Sequence, residues 1–134
     1  RVVGPTHDVN LDHPALEGPV YVGQVPRREV AEEFRRADVF AFPTICDSFG
    51  IVLVEALAAG VPVVCTTNCG DVVRDGVDGF VVPPRDPVAL AERIRQIVED
   101  RALRSWMSSN ARQRAQEFST ERYADRLLEA VRGV

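Results

Sequence analysis

The sequence contains no lysine; all 16 of its basic residues are arginine. Any mechanism that needs a side-chain amine therefore has no candidate. Long apolar runs are missing too. None approaches the roughly 18 residues of a membrane-spanning helix. Cysteine is scarce and odd in number, at three. Cys65 and Cys69 have no histidine or further cysteine near them to complete a zinc site, so the three read as reduced thiols. The two histidines, His7 and His13, lie in a polar, proline-containing stretch without a catalytic partner in sequence. Positive charge is in deficit, with a net charge of −4, which speaks against a nucleic-acid partner. No signal peptide, internal repeat, low-complexity segment or linker is evident. The chain starts at Arg1 rather than methionine, on residues that already read as a strand, and the expectation is a piece of a longer protein.

What is present is a core-forming composition. Of 134 residues, 46% are hydrophobic, enough for one domain. Arg1–Val3 reads as the end of a strand and Gly4–Gly18 as mostly loop. Val20–Gly23 is a strand, and Pro26 suits the first position of a helix whose stripe is Val30, Phe34 and Ala37. Asp38–Pro43 is a near-continuous apolar strand, of the kind buried on both faces of a parallel sheet. A helix opens at Phe49 or Gly50, runs to Ala59 and is stopped by Gly60. Strands at Val61–Thr66 and Gly79–Val82 flank a loop at Thr67–Asp78. The remainder is helical, with Asp86, Asp100 and Ser119 as caps. Tyr123, Leu127, Leu128 and Val131 form the inner face of the last helix. Strands alternating with helices imply an open parallel sheet, whose ligands sit beyond the carboxyl ends of the strands.

That rule points to Gly23–Arg27 and to Pro43–Gly50. The helix after Pro43–Gly50 is apolar on every side except at Glu55, so it reads as buried. A buried carboxylate needs a polar counterpart. An internal arginine and a ligand bearing hydroxyl groups both satisfy that need. Ser48, Phe49 and Gly50 sit where a helix start presents free N–H groups, a setting suited to phosphate. Asp47 stands eight residues before Glu55, a spacing that lets both carboxylates face one crevice. Its alternative role is helix capping.

Here the sequence resembles a family. Pro43, Thr44, Asp47, Phe49, Gly50, Glu55, Ala56, Ala58, Gly60, Pro62, Val63 and Val64 follow the pattern of the retaining group 1 glycosyltransferases, with two acidic residues separated by seven. Val22-Gly23-Gln24-Val25-Pro26, Ala37-Asp38-Val39-Phe40 and Asp75-Gly76-Val77-Asp78-Gly79-Phe80 agree as well. The resemblance implies a Rossmann-like α/β domain with a helical C-terminal end, one half of a GT-B fold. Residues 1–134 would be the nucleotide-sugar-binding C-terminal domain without its first strand–helix unit, and the acceptor-binding domain would be absent. It implies a donor with UDP, GDP or ADP and no metal. Glu55 would hold the ribose hydroxyls and Asp47 hydroxyls of the transferred hexose. Backbone N–H groups of Ser48, Phe49, Gly50, Ile51 and Val52 would meet sugar and diphosphate, and the Val25 backbone would lie near the base. Such an enzyme would be cytoplasmic, with peripheral contact at the inner membrane face as a lesser expectation.

Three departures qualify this. Asp47 replaces the usual glutamate. Asn68-Cys69-Gly70-Asp71 stands where the family often has a Gly-Gly-x-x-Glu loop. The Arg and Lys that neutralise the family's diphosphate have no counterpart. The rivals are an epimerase of the same architecture, a degenerate transferase kept as a partner, and a receiver- or flavodoxin-like interaction domain.

Overall fold

The structure is a computed structural model that describes residues 1–5, 10, 12, 14 and 17–132. His7 and His13 lie outside the described residues. The parallel strands form two sheets among the described residues. In the first, β1 (Val2–Val3) pairs with β2 (Tyr21–Gly23). In the second, β3 (Phe40–Phe42), β4 (Val63–Thr66) and β5 (Gly79–Val82) run side by side in that order. Phe40 pairs with Val63, and Val63 with Gly79.

The connections are helical. Between β2 and β3 lies α1 (Arg27–Arg35), and between β3 and β4 lies α2 (Ile51–Ala58). After β5 come α3 (Pro87–Glu99), α4 (Arg101–Gln116) and α5 (Thr120–Arg132). Asp86 and Asp100 start α3 and α4 as expected, accepting the N–H groups of Ala89 and Leu103 at 2.9 Å each. Pro26 is the residue before α1 rather than its first, because its ψ of 143° is extended.

β4 is the axis of the core, buried at all four positions. Its alternation sends Val63 and Cys65 to one side, with Leu53, Ala56 and Leu57 of α2 and Phe34 of α1. Val64 faces the other side, with Phe80, Val82, Ile97 and Met107. Ala111 of α4 joins the first cluster and Met107 the second, so α4 straddles both. Each fully buried Leu53, Leu57 or Ile97 stabilises the fold by about 1.5–3 kcal/mol.

Three expectations need correction. β3 is not buried on both faces: Ala41 is exposed and its two neighbours are half-buried, because β3 is the edge of its sheet. The helix around Glu55 is not buried all round. Leu53, Ala56 and Leu57 face the core, whereas Ile51 and Ala58 are exposed, since no described element covers that side. Finally, α5 buries no residue. Tyr123, Leu127, Leu128 and Val131 are 51–67% exposed, so the stripe read as an inner face lies open.

Candidate functional site

The turn between β3 and α2 is made by Gly50, whose φ of 71° and ψ of 59° are left-handed. A side chain there would be strained, and its Cβ would come within 2.8 Å of Leu53 Cδ1. Asp47 holds the turn from within. Its Oδ1 accepts the N–H groups of Phe49 at 3.1 Å and Gly50 at 2.7 Å. Helix capping, the alternative left open by the sequence, is not what Asp47 does: Gly50 is the N-cap of α2, no side chain caps that helix, and Asp47 ties the loop just ahead of it. Its Oδ2 makes no hydrogen bond among the described residues.

Consequently the N–H groups of Phe49 and Gly50 are already taken. Those of Ile51 and Val52, in the first turn of α2, have no acceptor among the described residues. Glu55 follows Ile51 by one helical turn and is half-buried. No hydrogen bond or ion pair engages its carboxylate among the described residues, so the internal-arginine alternative does not hold. Ser48 is exposed at the tip of the loop, beside Phe49, Ile51 and Ile45 at 43, 66 and 60% exposure. Asp47 through Glu55 thus form one continuous edge at the carboxyl end of β3. Val25 is half-buried on the connection after β2, in the other sheet, and no hydrogen bond joins it to that edge among the described residues.

The loop after β4 supports this edge. Thr66 Oγ1 donates to Thr44 O at 2.6 Å, Asn68 Nδ2 to Ile45 O at 2.7 Å, and Asp47 N–H to Asn68 O at 2.9 Å. Below these bonds, Cys65 and Cys69 are buried and Cys46 is exposed; all three are free thiols. Burial pushes the Cys65 thiol far up and raises that of Cys69, whose Sγ donates to Thr66 O. The supporting bonds have no signal in the sequence, because they join residues about twenty positions apart.

Charge concentrates elsewhere. A groove of about 260 Å³ at the amino ends of β3 and β4 is lined by Arg35, Arg101, Arg104 and Arg112, with Asp38. Helices α1 and α2 end there, and Arg104 Nη1 donates to Val98 O, at the end of α3, at 2.8 Å. Arg104 thus meets the partial negative charge at the end of α3 and also pairs with Asp38, while Arg35 pairs with Glu32.

Comparison with known proteins identifies the architecture and then the family. The fold is that of GT-B glycosyltransferases. Sucrose-phosphate synthase from Thermosynechococcus elongatus matches over 85% of this chain and 29% of its own, at 32% identity and a TM-score of 0.76. Anabaena Alr3699/HepE, solved in complex with UDP and glucose, matches over 98% of this chain and 40% of its own, at 26% identity and a TM-score of 0.81. A D-inositol 3-phosphate glycosyltransferase of Geodermatophilus obscurus is 44% identical over 103 residues, covering 75% of this chain and 22% of the relative. The family model described as glycosyl transferases group 1 matches residues 15–114, and the chain belongs to that family. It spans well under half the length of these relatives.

Proposed function

We propose that this chain forms the donor-binding part of a retaining glycosyltransferase that moves a hexose from a nucleotide diphosphate sugar. The observation that carries the reading is Glu55, a half-buried carboxylate without a partner among the described residues, one turn from the open N–H groups of Ile51 and Val52. A carboxylate accepts hydrogen bonds from vicinal hydroxyls, as a ribose offers. The two N–H groups and the helix dipole suit diphosphate oxygens. Asp47 Oδ2 accepts from a hydroxyl of the sugar while Oδ1 keeps the turn, so holding the loop and binding the donor are compatible. The Val25 backbone lies toward the base. Related structures solved with UDP and with UDP-glucose support this choice of ligand.

Catalysis by this part is electrostatic: as the glycosidic bond breaks, charge builds on the diphosphate, and preorganised donors stabilise it. Incoming acceptor and departing diphosphate share one face of the sugar, which preserves configuration without the paired carboxylates of glycosidases. No metal takes part. The acceptor, and cations for the diphosphate, come from parts of the polypeptide outside this chain. This part alone is inactive and binds nucleotide weakly.

The test is a titration of the isotopically labelled chain with UDP, GDP and ADP. One of them shifts the amide signals of Gly50, Ile51, Val52 and Glu55, and Glu55→Ala abolishes the response. Unmoved signals with all three nucleotides would overturn the reading.

A further inference from the structure

Arg114, near the end of α4, is far in sequence from the proposed donor edge, yet its side chain reaches the segment that supports it. The side chain is only 15% exposed. Its Nε donates to Val72 O at 2.9 Å, its Nη2 to Asp71 O at 2.7 Å, and its Nη1 pairs with Glu117. The guanidinium carbon lies over the Phe118 ring, 4.8 Å from its centre. The Phe118 and Phe49 rings in turn pack edge to face, with their centres 5.7 Å apart.

Two arms therefore run from one side chain to one place. The first passes through the carbonyls of Asp71 and Val72 into the loop after β4. That loop bears closely on the donor edge: a Cβ on Gly70 would sit 3.4 Å from Phe49 Cα, and one on Gly50 would sit 3.5 Å from Cys69 O. The same loop accepts the Asp47 N–H at Asn68 O. The second arm passes through Phe118 to the ring of Phe49. Both converge on the residues that aim the first turn of α2.

We infer that Arg114 is a positioning residue, which fixes the backbone of Phe49–Gly50 so that the N–H groups of Ile51 and Val52 meet the donor. This rests on the proposed donor site. The chemistry requires arginine: two carbonyls, a carboxylate and a ring face are satisfied together by a planar fork. A lysine ammonium carries the charge but has neither the fork nor the face.

The experiment compares the labelled wild-type chain with Arg114→Lys and Phe118→Leu, and with Arg93→Lys as a control. Arg93 also covers an aromatic ring, Phe80 at 4.6 Å, but on the β5 side of the domain. Without ligand, Arg114→Lys moves the amide signals of Phe49, Gly50 and Ile51 while those of β4 and β5 stay in place. With UDP as the probe, its affinity falls about tenfold. The control changes neither. A merely structural role would lower the unfolding midpoint and leave the affinity of the folded protein intact. The inference is overturned if folded Arg114→Lys keeps the wild-type amide positions at Phe49–Ile51 and binds UDP as the wild type does. Should Arg114→Lys fail to fold, Phe118→Leu cuts only the aromatic arm and is judged by the same signals. A wild-type chain that ignores UDP, GDP and ADP defeats the donor reading alone, because the ligand-free signals still decide whether Arg114 sets the loop.

Discussion

Cys65 and Cys69 lie beneath the proposed donor edge with their side chains sealed from solvent, whereas Cys46 lies on its surface. Thiolates, not thiols, react with alkylating agents, and burial disfavours the thiolate. Iodoacetamide at neutral pH is therefore expected to label the native chain once, at Cys46, and the denatured chain three times, by mass spectrometry. Native labelling at Cys65 would mean that the floor of the site opens. At this scale the sequence conveyed which residues stand out better than what they bond to. Glu55 was conspicuous because it interrupts an apolar helix. Asp47 was conspicuous by its spacing, but no pattern announces its bonds to the N–H groups of Phe49 and Gly50. Arg114 was one arginine among 16, and only the folded chain brings it to Val72 and Asp71.

Among the elements, β4, β5, α3 and α4 were readily legible, since β-branched runs and aspartate caps act locally. The errors came where burial depends on neighbours. The apolar residues of β3 and of the outer side of α2 resemble those of a covered element, and a sequence cannot say whether the cover is present. The same holds for α5, whose stripe is periodic and whose apolar side lies open. Its three arginines, Arg122, Arg126 and Arg132, are matched in number by Glu121, Asp125 and Glu129. A helix that buries no residue opens at little cost. Amide exchange is expected to be fast throughout α5 and slowest in β4. Equal protection in both would show that α5 is held by more than its own hydrogen bonds.

For the molecule as a whole, the two ends of the sheet have different tasks. The carboxyl end carries acceptors and open N–H groups, and the amino end gathers guanidinium groups over helix ends. If the amino end is purely structural, Arg104→Met should cost about 1 kcal/mol in denaturant unfolding and leave UDP affinity unchanged. A change in nucleotide binding without a loss of stability would reverse that assignment. The basal groove also explains why α2 stops where it does. Gly60 has a φ of 77°, and a Cβ there would lie 2.4 Å from the Arg112 guanidinium carbon. The left-handed backbone opposes a side chain at that position, whereas the Arg112 guanidinium, at the far end of a flexible side chain, can swing aside. Trimming Arg112 therefore leaves the main obstacle in place. In a library that randomises both codons, glycine would persist at 60 whatever residue took the place of the arginine.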